Sequence, residues 1–132
     1  MKDLSELGPG DEREVLKGIE QFNTGFYFEC HDTLEEVWGG LRGEHRDFFQ
    51  GLIQVSVAFY HLTGGNLTGA ASLLERALKR LSRYPDRVYG FDLAGHRRDL
   101  QSWLERIRRG GPLTEPLPRW VFERSPPPET VP

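Results

Sequence analysis

Apolar residues recur every three to four positions along most of this chain. Sustained period-two alternation between turn residues is missing, so the pattern predicts helices rather than strands. Asp11-Glu12-Arg13-Glu14 has the spacing of a capping box and opens a first helix over about 11–23, with Val15, Ile19 and Phe22 on one face. Asn23-Thr24-Gly25 is a turn signal, and a second helix over about 26–40 stops at Gly39-Gly40. The third, about 45–63, is unusual, because no residue between Asp47 and Glu75 carries a fixed charge. Phe48, Leu52, Val55, Phe59 and Leu62 form one face, widened by Phe49, Ile53, Val57 and Tyr60. A helix apolar nearly all round is a central one. Asn66 can cap a fourth helix, about 67–83, with a stripe of Leu67, Ala70, Ala71, Leu74, Leu78 and Leu81. Pro85 ends it, and Asp92 can cap a fifth, about 93–109, with Leu93, Leu100, Trp103, Leu104 and Ile107 inward. Seven of the nine prolines lie in residues 110–132, an extended tail. Leu117, Trp120, Val121 and Phe122 are expected to pack it on the helices, with Ser125-Pro126-Pro127-Pro128 as a loose end.

A shift of 40 residues aligns the first hairpin with the second. Val15 falls on Val55, Gly18 on Ala58, Ile19 on Phe59, Phe22 on Leu62, Gly25 on Gly65, Cys30 on Ala70, Leu34 on Leu74 and Glu35 on Glu75. Each half reads as helix, Gly-containing turn, helix, with a small residue where two helices approach closely. This resembles tetratricopeptide units, with a longer period. The expected fold is all-α: a five-helix array of two repeated hairpins plus a C-terminal helix. Its parts are a lead over 1–10, a helical domain over 11–109 and a tail over 110–132.

At 132 residues the chain is one domain, and no apolar run reaches the length of a membrane span. The first residues lack the apolar stretch of a signal peptide, so a cytoplasmic location is expected. A single cysteine, Cys30, excludes an internal disulfide framework; at the small position of the repeat it reads as inert core. Residues 1–66 carry five basic and twelve acidic side chains, a balance of −7, and residues 67–132 twelve and eight, a balance of +4. Solvated faces account for this; head-to-tail self-association, or an acidic partner for the second half, is the sharper alternative.

Candidate chemistry gathers on the second and third helices. His31 and Glu35, four residues apart, meet on one surface beside Trp38 at the edge of the apolar face. That spacing suits a two-point grip on a divalent metal, or a carboxylate orienting an imidazole for acid/base work. On the third helix Gln50, Gln54 and His61 form a narrow polar strip, with Val57 between them. Buried amides need partners, so the strip is expected to face His31 and Glu35. The competing interpretation is a hydrogen-bonded layer that only fixes hairpin packing. His45 reads as solvated and His96 as a packing residue.

Phe22-Asn23-x-Gly25-x-Tyr27-Phe28-Glu29-Cys30-His31-x-x-Leu34-Glu35-x-x-Trp38, followed by Phe48-x-Gln50-Gly51-Leu52-Ile53-Gln54, resembles the signature of domain of unknown function 309 over roughly residues 12–80. The resemblance implies a small all-helical protein of bacterial or archaeal type, with His31, Glu35, Trp38 and Gln54 at signature positions. Cys30 stands where alanine is common. The resemblance carries no established activity.

Three classes of function therefore compete. The first is a metal-dependent or hydrolytic site with His31 and Glu35 as catalytic or metal-holding residues, and Trp38, Gln50, Gln54 and His61 as binding residues. The second is a helical-repeat module for a peptide or protein, and the third a structural homo-oligomer. Nucleic-acid binding is weaker, because the basic run Arg76, Lys79, Arg80, Arg83 and Arg87 lacks interleaved aromatics. No membrane partner is expected.

Overall fold

A computed structural model describes residues 2–123. Five helices carry the fold: α1 (Pro9–Asn23), α2 (Tyr27–Gly39), α3 (Gly43–Thr63), α4 (Leu67–Leu81) and α5 (Leu93–Arg109). The fold is all-α, and among the described residues no helix is long and apolar enough to cross a membrane. α2, α3 and α4 pack successively, with α1 against α2 and α5 against α4.

The two hairpin turns share their main backbone hydrogen bonds. Phe26 N–H donates to Gln21 O at 2.8 Å, and 40 residues on Asn66 N–H donates to His61 O at 2.8 Å. Gly25 N–H to Phe22 O and Gly65 N–H to Leu62 O are both 3.1 Å. Gly25 and Gly65 take φ of +86° and +85°, a conformation that glycine alone adopts without steric cost. The small positions behave as the repeat requires, with Cys30 and Ala70 both fully buried. Burial pushes the Cys30 thiol up to about 12, so it is protonated and inert as expected.

α3 is the core helix. Phe48, Phe49, Leu52, Val55, Ala58 and Phe59 are fully buried. Gly51 lets α4 approach, since a Cβ there would stand 2.8 Å from Leu81 Cδ2. The caps at Asn66 and Asp92 form as expected, accepting from Gly69 N–H and Gly95 N–H. Arg97 donates to the carbonyls of Leu81 and Tyr84, satisfying the C-terminal end of α4.

Several expectations are corrected. α1 starts at Pro9, not at a box on Asp11, because proline pre-sets the first helical φ and has no N–H to cap. The box belongs to Asp3 and Glu6, which cap a short 3-10 turn, Leu4–Leu7. Within the expected lead, Leu4 therefore joins the core. The loop before α5 holds a small hairpin of β1 (Arg87–Val88) and β2 (Phe91–Asp92), joined through Tyr89 and Gly90, both at positive φ. Two-residue strands leave no alternation to read. His45 is not simply solvated: its Nδ1 lies 2.6 Å from the hydroxyl of buried Tyr89.

In the tail, Trp120 and Phe122 pack inward, whereas Leu117 and Val121 are exposed. Trp120 stacks on Phe22 at 4.0 Å and 5°, and its backbone is clamped by Asn23 in both directions. Phe122 bridges Phe91. The Ser-Pro-Pro-Pro stretch lies outside the described residues.

Two outcomes follow. Phe59 touches the rings of Phe22, Tyr27 and Trp103, so Phe59→Ala should destabilise by about 3–5 kcal/mol; a melt within a degree or two of the parent would contradict its core role. His96, buried in the same core, accepts from Trp120 Nε1 at 3.0 Å. Burial, partly offset by Asp92, lowers its pKa from 6.5 to about 4. Between those values the unfolded chain takes up a proton that the folded chain refuses, so stability present above pH 6.5 is lost as pH falls to 4. The loss is on the order of 3 kcal/mol. Urea melts at pH 7, 5.5 and 4 should fall more steeply for the parent than for His96→Gln; parallel curves would refute this linkage.

Candidate functional site

α2 carries His31 because its buried stripe is filled by Tyr27, Cys30, Leu34 and Val37. The residue after Cys30 therefore emerges at the stripe's edge, beside α3. His31 Nε2 lies 3.2 Å from Glu35 Oε1, one turn on, and Nδ1 lies 3.4 Å from Asp32 Oδ1. The second pair is close but misaligned, and buried Nδ1 makes no hydrogen bond. One potential ligand atom from each of His31, Asp32 and Glu35 lies within 4.8 Å of the others. The histidine side chain is 21% exposed and the two carboxylates more than half, so the imidazole forms the wall and the acids face solvent.

On the other flank of His31 is a small apolar hollow of about 120 Å³, lined by Phe28, His31, Val57, Tyr60 and His61. The Phe28 ring contacts both His31, at 5.6 Å, and Tyr60, at 5.5 Å. Phe28 and Tyr60 are each 47% exposed, large for aromatic rings. His61 shares this hollow, and its Nδ1 lies 3.4 Å from Asn66 Nδ2 at the following turn.

The polar strip on α3 does not converge on one point. His61 sits with His31, but Gln54 turns to α4, where its Oε1 accepts from Arg80 Nε at 3.4 Å. Gln50 and Trp38 lie farther along the same side, around a second cavity. His31 meets Glu35, but among the described residues no hydrogen bond joins Gln54 to either of them. The cause is Arg80, a cation from the second hairpin whose position on the α3 strip no helical wheel of α3 could show.

Around that second cavity Arg80 is ion-paired with Asp47, and Asp47 also meets Arg83 and the Tyr84 hydroxyl, each at 3.4 Å. Burial, with Asp47 nearby, pushes the Tyr84 hydroxyl up to about 12. The guanidinium of Arg46 covers the Trp38 ring at 3.8 Å, and Trp38 Nε1 is buried without a partner. Sequence reasoning passed over Phe28, Tyr60, Arg46 and Asp47. The signals available were Phe28 lying off the buried stripe of α2, and Asp47 as the last charge before the uncharged stretch.

Comparison with known proteins finds a family match to part of this chain. Residues 15–73 match the family described as domain of unknown function (DUF309). The chain is similar to an uncharacterized protein of Aquifex aeolicus (strain VF5), 32% identical over 103 residues, or 76% of this chain and 30% of that protein. It is also similar to the uncharacterized protein YpuF of Bacillus subtilis (strain 168), 38% identical over 64 residues, or 48% of this chain and 37% of that protein. The chain therefore spans about a third of the length of these curated relatives. His31, Glu35, Trp38, Gln50, Gln54 and His61 fall inside the matched segment, and Arg80 outside it. Residues 15–73 of this chain thus match the DUF309 family model, in agreement with the resemblance carried by its two motifs.

Proposed function

We propose that the protein is a cytoplasmic divalent-cation binder, with the ion held between His31 Nε2 and Glu35 Oε1. The observation that carries this is the 3.2 Å separation of those atoms on successive turns of α2. Nitrogen and oxygen ligands at about 2.1 Å from a tetrahedral ion stand about 3.4 Å apart, so the pair needs little movement to close on one. Asp32, 3.4 Å from the other ring nitrogen, adds a second negative charge beside the same imidazole. Two protein ligands leave coordination positions for water or substrate, the arrangement hydrolytic chemistry requires. The hollow toward His61 offers room for a small apolar group next to the ion.

A second reading has its own observation. Phe28 and Tyr60 form a contiguous exposed aromatic pair, the kind of surface that receives an apolar side chain from a peptide, a protein or a second copy. Phe28→Ser would then abolish partner capture or lower the solution mass without affecting cation uptake.

Calorimetric titration of the full chain with zinc should give one saturable site, lost in both His31→Ala and Glu35→Gln. Melting temperatures should remain nearly unchanged, because the carboxylate is exposed. Uptake equal to the parent in either variant, or none in the parent, would refute the proposal.

A further inference from the structure

The cavity about Trp38 and Arg46 is separate from the His31/Glu35 pair and has the opposite electrostatic character. Its volume is about 340 Å³, and Trp38, Arg46, Asp47, Gln50 and Arg80 contribute to its lining. A neighbouring hollow of about 480 Å³ shares Gly43 and Asp47 with it and adds Lys2, Glu44 and Arg83. Each has the size of a small-ligand site. Together they hold four cations, Lys2, Arg46, Arg80 and Arg83, against two carboxylates, Glu44 and Asp47. Lys2 is committed to Glu44 at 2.6 Å, and Asp47 is shared by Arg80 and Arg83. Among the described residues no carboxylate lies within ion-pair distance of Arg46, which leaves its charge unmatched.

Arginines on a solvated face usually sweep through many rotamers and bind nothing in particular. Two here are held. Arg46 is laid on the indole of Trp38, and Arg80 is fixed by Asp47 through one Nη and by Gln54 through Nε. Fixing a guanidinium before a ligand arrives reduces the entropy lost on binding, and its planar fork matches the oxygens of a phosphate or carboxylate. Gln50 adds an amide to the same wall, able to donate or accept. No side chain caps the first turn of α3, so its amide groups add positive potential at Gly43 without being needed to define the site.

We infer that this cavity binds the oxyanion of a small molecule, a phosphate or carboxylate group taken between Arg46 and Arg80, with Trp38 as its flat wall. The site does not depend on a cation at His31. Trp38 comes from α2 and Arg80 from α4, so the two hairpins must pack as they do for the pocket to exist.

The test is calorimetric titration of the full chain, at constant ionic strength, with inorganic pyrophosphate and separately with citrate. We expect one saturable site for at least one of them: pyrophosphate alone identifies a phosphate ligand, and citrate alone a carboxylate. Arg46→Gln should weaken binding by about tenfold or more, the loss of one charged hydrogen-bonding partner. Arg108→Gln, which removes a cation on α5 paired with Glu75, should leave it unchanged. A melt of each variant establishes that it is folded, and Arg80→Gln, at the other cation that grips the oxyanion, serves if Arg46→Gln is not. Absence of saturable heat from both ligands, full binding by the folded arginine variant, or equal weakening in Arg108→Gln would each overturn the inference.

Discussion

Burial of α3 is the constraint on which the other contacts depend. A helix with no fixed charge from Phe48 to its end has to be covered on nearly every side, and the chain does this with rings. Phe59 meets Phe22 edge-on at 6.0 Å, Trp103 at 5.9 Å and Tyr27 at 5.9 Å, so one side chain ties α1, α2 and α5 to the central helix. Phe48 does the same at the opposite end, through Tyr84, Tyr89 and Phe91. Aromatic pairs in such geometries add about 0.5–1.5 kcal/mol each beyond their buried area. They also fix direction, which aliphatic contacts do not.

Once α3 is covered, polar groups on it reach the surface only where α2 and α4 part. That geometry explains why Gln50, Gln54 and His61 are all half-buried, and why Gln54 finds its partner, Arg80, on a neighbouring helix. Toward one end the seam presents His31, His61 and the Phe28–Tyr60 pair, an apolar hollow beside an imidazole and two carboxylates. Toward the other it presents Trp38, Arg46, Asp47 and Arg80, a pocket with excess positive charge. A single seam thus carries two electrostatic environments because the charged residues are supplied by different hairpins.

Asn23 shows how a signature residue can be structural. Its side chain donates to Trp120 O at 3.0 Å and accepts from Trp120 N–H at 2.7 Å, holding the tail across 97 residues of chain. That clamp presses the Trp120 indole flat on Phe22 and lets it donate to His96, closing the core on the side away from the seam. The Pro-rich composition of this segment prevented helix, but its anchoring is a tertiary contact that composition does not encode.

The helices, their order and their buried stripes were legible in the chain itself, because 3.6-residue periodicity and capping residues act over a few positions. The 40-residue repeat was legible for the same reason: a turn such as Asn23-Thr24-Gly25 dictates its own hydrogen bonds, and they recur at Thr63-Gly64-Gly65. So was the meeting of His31 with Glu35, which one helical turn guarantees. What only the tertiary structure decided is which partner each polar group finds across a helix boundary. Gln54 went to Arg80 instead of His31, His45 to Tyr89, and Asn23 to Trp120. Such pairings depend on the rotation of one helix against another and on which long cation reaches farthest. Those quantities are set by packing volumes around Gly51, Phe59 and Leu81, and no local period records them.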